Sequence, residues 1–101
     1  MQDSFDKLFY AVKDSQGNYY AITKSHKEVI CFDSNNKFKY RIRGKNNYNK
    51  GFNYANDIII DEKNDSLYIL STYFDSNGDY IEKEGIVRYS LSGKFMNSIY
   101  S

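Results

Sequence analysis

The chain has 101 residues, enough for one domain, and is 41% apolar and 27% charged, with 14 basic against 13 acidic side chains. That balance excludes an acidic or basic tail, a low-complexity tract and a strongly polyanion-seeking protein. No apolar run reaches the roughly 18 residues of a membrane helix, and the start MQDSFDKLFY lacks a signal peptide's apolar centre.

Taken in chain order, short aromatic and β-branched runs alternate with turn signals. Phe9 to Asp14 leads into Ser15-Gln16-Gly17-Asn18, Tyr19 to Lys24 into Ser25-His26-Lys27-Glu28, Val29 to Asp33 into Ser34-Asn35-Asn36-Lys37, and Phe38 to Arg43 into Gly44. These read as four strands joined by hairpin loops, whose Gly and Asn tolerate the positive φ of tight turns. Asp57 to Glu62, Leu67 to Phe74, Gly85 to Ser90 and Phe95 to Tyr100 repeat the scheme. No segment carries the i, i+3, i+4, i+7 apolar spacing of a helix through three turns.

The two halves align by offset. A shift of 57 places Val29-Ile30 on Ile86-Val87, Phe32 on Tyr89, Lys37-Phe38 on Lys94-Phe95 and Ile42 on Ile99. Earlier in the unit Asp14 meets Asp61 at a shift of 47, and Tyr20 meets Tyr68 at 48. The difference predicts an insertion in the second copy. The reading is therefore a first unit over 1–44, a crossing over 45–55 and a second unit over 56–101, with an inserted loop at 73–84. Ile58-Ile59-Ile60 reads as a strand buried on both faces, and Phe38 to Arg43 as an alternating edge strand. By extension, the first strand of each unit is expected inside and the fourth at the edge.

A repeated four-stranded antiparallel unit is the plan of a β-propeller blade. Asp14-Ser-Gln-Gly-Asn-Tyr-Tyr with Val29-Ile-Cys-Phe-Asp, and Asn56-Asp-Ile-Ile-Ile-Asp-Glu with Ile86-Val-Arg-Tyr and Gly93-Lys94-Phe95, resemble the NHL-repeat and related six-bladed propeller families. The crossing lacks the proline many such repeats carry, and neither copy has the tryptophan–aspartate signature of WD40 repeats. The resemblance implies an all-β fold of two blades. It also implies kinship with ligand-binding sensor modules of bacterial signalling proteins, outside the cytoplasm, and it transfers no catalytic set. Two blades do not close a ring, so neighbouring blades are expected as partners, from the same chain or from other copies. Residues 1–50 hold ten basic and five acidic side chains, and residues 51–101 four and eight, a split that suits head-to-tail contact.

Candidate chemistry is sparse. Tyr48, Asn49, Asn53 and Tyr54 in the crossing combine rings with amides, as a glycan or small-molecule site between blades would. Lys37, Lys39, Arg41, Arg43 and Lys45 alternate, and on a strand they would form a basic stripe about 27 Å long, for a polyanion or simply for edge protection. No aromatic pattern beside it suggests nucleic acid. Asp75, Asn77 and Asp79 space oxygens as a calcium loop begins, but Tyr80 stands where a glycine is required and Ile86 where a glutamate is, so a hairpin tip is the plainer reading. Asp14 and Asp61 close equivalent strands and read as turn residues before they read as an acid–base pair. The single His26 has no nucleophile nearby, the single Cys31 reads as a small buried group, and no motif asks for a cofactor. The sequence thus points to a non-enzymatic recognition or interaction module, a piece of a larger sensor, with a self-assembling, lectin-like propeller as the alternative.

Overall fold

The computed structural model describes residues 8–47, 49–74 and 81–101, without the side chains of residues 81 and 82. The strands are β1 (Leu8–Lys13), β2 (Tyr19–Thr23), β3 (Glu28–Phe32), β4 (Phe38–Arg43), β5 (Tyr54–Asp61), β6 (Ser66–Phe74), β7 (Ile81–Tyr89) and β8 (Phe95–Tyr100), with a 3₁₀ turn at Glu62–Asn64. They form two antiparallel four-stranded sheets, ordered β1-β2-β3-β4 and β5-β6-β7-β8. The all-β expectation and the division into two four-stranded units hold.

Local chemistry sets the hairpins. In five of the described turns a residue of positive φ closes the hairpin, His26 (φ 66°) and Asp65 (φ 51°) among them; the other three share one plan, with Gly17 (φ 88°), Asn36 (φ 65°) and Gly93 (φ 95°). Their amides donate to Asp14 O at 3.1 Å, Asp33 O at 2.9 Å and Ser90 O at 2.9 Å. The opening side chain accepts from the same loop: Asp14 Oδ1 from the amides of Gln16 and Asn18, Asp33 Oδ1 from Asn35 and Lys37, and Ser90 Oγ from Lys94. A turn with an αL third residue is a favoured three-residue hairpin, and an aspartate that accepts from its own loop holds it open-handed to the next strand. The repeat extends to irregularities. The β3–β4 pairing slips between Cys31 and Phe32, and the β7–β8 pairing between Arg88 and Tyr89, which is the same position 57 residues on.

The sheets pack face to face. Tyr20, Ile22, Val29, Cys31 and Ile42 of the first sheet meet Ile58, Leu67, Ile69, Val87 and Tyr89 of the second, with Phe52 and Ala55 in the same core. Phe52, from the crossing, is fully buried and plugs the space between the sheets. Three phenols of the second sheet fasten this segment: Tyr89 accepts from the Phe52 amide at 3.1 Å, Tyr100 donates to Gly51 O at 3.3 Å, and Tyr73 donates to Asn46 O at 2.5 Å. Burial pushes the Tyr89 phenol up to about 12.

Three expectations are corrected. The first strand of each unit is an edge in its sheet, and Ile59 is 51% exposed although Ile58 is buried. A strand is covered on both faces only between two layers, and β5 has the first sheet on one side. The expected loop at 73–84 is in part ladder, since Thr72 pairs Glu84, Tyr73 pairs Lys83 and Phe74 pairs Ile81. The insertion lengthens a hairpin. Third, the slip at Phe38 interrupts the alternation of β4 and leaves the Arg41 guanidinium 5.8 Å from the Phe38 ring.

Gly93 is the position where backbone freedom matters most. Besides its positive φ, a Cβ there would lie 2.8 Å from the Tyr40 ring, whose hydroxyl donates to Leu91 O at 2.8 Å across the sheets. Gly93→Ala should lower stability by about 1–3 kcal/mol in chemical denaturation. Asn36→Gly, at the equivalent turn of the first sheet, should change it far less.

Candidate functional site

Of the four residues expected to bind a ligand in the crossing, the three described ones are each engaged within the chain. Tyr48 lies outside the described residues. The Asn49 amide donates to Asn47 Oδ1 at 2.8 Å in an exposed local turn. Asn53 is buried, and its side chain is engaged at both ends: Nδ2 donates to Lys45 O at 2.8 Å and Oδ1 accepts from the Phe74 amide at 3.3 Å. Such an amide has little capacity left for a sugar hydroxyl. Tyr54 stacks on His26, with centroids 4.3 Å apart and planes 4° from parallel, and meets the Phe74 ring edge-on. The Phe9 ring stands 4.2 Å from His26, tilted by 47°. Tyr54 therefore belongs to an aromatic row across the two sheets.

His26 holds that row. Its backbone carbonyl accepts from the Ala55 amide at 2.9 Å, and its ring Nδ1 is 2.7 Å from Ala55 O. A carbonyl can only accept, so Nδ1 carries the proton, and the pair of bonds links the first sheet's second hairpin to β5 as a bridge would. Sequence reasoning had no access to this role, because the partner is a backbone atom 29 residues away.

The basic series divides. Glu28 sits between Arg41 and Arg43, with contacts of 3.1 and 3.3 Å to their Nε atoms, so these two charges are partly neutralised. Lys37 and Lys45 lie outside β4, and Lys39 is exposed beside the slip in register. A recess of about 210 Å³ does bring Arg43 together with Asn53, beside Lys27 and Glu28. Asp75, Asn77 and Asp79 lie outside the described residues. Among the described residues no three His, Cys, Asp or Glu side chains gather as a metal site would require.

Asp14 does what a turn aspartate does, and more. Besides the two loop amides it accepts from Asn18 Nδ2 at 3.0 Å and from the buried Tyr20 hydroxyl at 2.9 Å. Burial alone would raise its pKa, but the bonds from Asn18, Tyr20 and Gln16 prevail and hold the carboxyl below the usual carboxylate range. Asp61 accepts locally, from Asn64 Nδ2 at 2.8 Å. The neighbouring Glu62 carboxylate takes the Ser15 hydroxyl at 2.7 Å and the Ser15 amide at 2.9 Å, tying the two sheets at their turn ends. Burial pushes the Cys31 thiol up, away from the reactive thiolate.

What stands open is a sheet face. Pairing registers place Asp57, Leu70, Ile86 and Ile99 in one row across the second sheet, and Ile59, Tyr68, Arg88 and Asn97 in the next. Ile86 is 47% exposed and Ile99 71%, and a shallow cleft of about 650 Å³ runs along the end of this face between Asn56, Thr72 and Glu84. Arg88 is drawn back by bonds to Ser66 Oγ at 2.8 Å and Asn64 O at 3.5 Å, and the Asp57 carboxylate accepts from the Tyr10 hydroxyl, whose pKa its charge raises. The offset that pairs Ile42 with Ile99 was the available sequence signal for this face. It needed the knowledge of which copy is covered.

Two outcomes test these assignments. His26→Ala should destabilise the fold by about 1–3 kcal/mol, read by thermal or denaturant melts, because the Ala55 carbonyl loses its partner at the sheet junction. Asp14 has a lowered folded pKa, so its contribution is present above its unfolded pKa of about 4 and is lost as pH falls through the folded value. Asp14→Asn should therefore be less stable than the parent at neutral pH, with the gap narrowing under acid.

Compared with known protein families, curated proteins and solved structures, the chain gives no match.

Proposed function

We propose that the chain is a non-enzymatic recognition module of the β-propeller kind, two consecutive blades whose role is contact with further protein surface. The observation that carries the reading is how the two units meet. In the first sheet the covered positions are Ile22, Val29 and Ile42 in one row and Val12, Tyr20, Cys31 and Tyr40 in the next. The rows of the second sheet at the same repeat positions are the open ones. Each unit thus offers one face to the unit after it and the opposite face to the unit before it, as stacked blades do. Such a unit cannot bury its core without neighbours, so binding a neighbour is its first task.

The polar residues that could have supplied chemistry hold the chain together instead: Asp14 in its turn, His26 on Ala55, Glu62 on Ser15. The resemblance to bacterial sensor propellers extends this reading to a section of a larger sensor protein outside the cytoplasm. The lectin-like alternative has weaker footing, because the amide of Asn53 is engaged internally.

A tandem duplicate, two copies joined by a second 44–53 crossing, tests the reading. It should melt as one cooperative unit above the single chain, by about 2–4 °C for each kcal/mol that the new interface contributes. A duplicate melting as two independent parents at the parent's temperature would sink it.

A further inference from the structure

The outer faces of the two sheets differ in what they leave to solvent. On the first sheet Ala21 is 1% exposed and Ile30 0%, and Glu28 holds Arg41 and Arg43. On the second, Ile59 is 51% exposed, Ile86 47% and Ile99 71%. Free copies meeting head to tail would need two unlike open faces. A face that pairs with its own like needs one.

The order of residues on the second sheet suits such self-pairing. Along β7 the outward positions are Glu84, Ile86 and Arg88: an acid, an apolar centre and a base. The pairing registers put Thr72 beside Glu84, Leu70 and Ile99 beside Ile86, and Tyr68 and Asn97 beside Arg88. Consider a two-fold axis lying along the middle row, in the plane between two copies. It runs each strand antiparallel over its own counterpart and sets Leu70, Ile86 and Ile99 against themselves. It also brings Glu84 of each copy over Arg88 of the other, which gives two equal ion pairs. Among the described residues neither side chain is ion-paired within the chain. The bonds from Arg88 Nε to Ser66 Oγ and from Nη2 to Asn64 O fix the guanidinium and leave Nη1 to a partner. Asp57 lies at the margin of the sheet, where the Ile58 amide at 2.8 Å and the Tyr10 hydroxyl engage its carboxylate.

Four strands about 4.8 Å apart, the longest of nine residues, present a face of roughly 15 by 30 Å. Two such faces, packed in the aligned manner of sheet on sheet, remove on the order of 1,000 Å² from water. That is the lower end of specific interfaces, so the pair should dissociate on dilution.

We infer that the open face of the second sheet pairs with the same face of a second copy, across a two-fold axis on the Leu70–Ile86–Ile99 row, with Glu84 and Arg88 as the reciprocal charges. The inference goes beyond the stacking reading, which gives this face to a following unit. A following unit and a second copy would compete for it.

Sedimentation velocity of the full chain tests it. The parent should pass from monomer to dimer as concentration rises and form nothing larger. Ile99→Asp should stay monomeric where the parent is dimeric. Glu84→Arg alone and Arg88→Glu alone each set like charges across the axis and should associate at least about tenfold more weakly. Their equimolar mixture should recover the parent's affinity as a heterodimer, because one copy then supplies both bases and the other both acids. Ile99 and Glu84 are exposed, so the variants there should keep the parent's circular dichroism and melt. If Arg88→Glu loses the fold along with its bond to Ser66, the other two variants decide the matter. A parent that stays monomeric, or that assembles past the dimer, would overturn the inference. So would undiminished dimerisation after Ile99→Asp or Glu84→Arg, or a mixture of folded charge variants no tighter than either alone. A stabilised tandem duplicate alongside monomeric free chains would remove this inference and leave the stacking reading standing. A dimeric parent with a duplicate that gains nothing would do the reverse.

Discussion

The structure depends on one packing event: the burial of the first sheet's apolar face under the second sheet. Without it Val29, Cys31, Tyr20 and Ile22 would face water on one side, and Ile58, Leu67, Ile69 and Val87 on the other. Non-directional burial of this kind supplies most of the favourable energy, but it does not by itself choose an angle or register. Directional contacts at the rim make that choice. Ser15 reaches Glu62 at one end, His26 grips Ala55 at another, and Tyr40 closes over the turn before Gly93.

The crossing between sheets shows how polar groups are placed when a loop must be buried. A covered backbone without partners would be costly, so Phe52 brings its amide under the Tyr89 hydroxyl, and Asn53 gives its amide to Ser71 and its side chain to Lys45 and Phe74. The tyrosines that the composition supplies so freely are used here as long-armed hydrogen-bonding groups as much as for apolar bulk. A segment fastened this way is a rigid spacer. It holds the two sheets in a fixed relation, with the outer face of the second sheet left open.

Much of the local structure was legible, and the errors have common causes. β4 and β8 span the expected runs, Phe38–Arg43 and Phe95–Tyr100. β5 starts at Tyr54, before the expected Asp57, because Ala55 is recruited by both Ser71 and His26. β7 starts at Ile81, before Gly85, because β6 extends to meet it. In each case a partner distant in sequence turned polar or small residues into strand. The basic series failed as a straight stripe for a similar reason: a one-residue slip opposite Phe32 is invisible in β4 alone. Of the candidate ligand residues, Asn53 and Tyr54 proved to be parts of the junction between sheets.

The sequence by itself determined the eight strands, the division into two repeats and the turn residues that join them. These follow from interactions within a few positions: side-chain alternation, αL tolerance at Gly17, Asn36 and Gly93, and aspartate or serine accepting from its own loop. Only the tertiary structure decided which faces are covered. Ile42 and Ile99 occupy the same place in the repeat and in the ladder, yet one is buried and the other stands in water. Burial is a property of what lies across the gap, and for Ile99 that surface is not in its own pair of sheets.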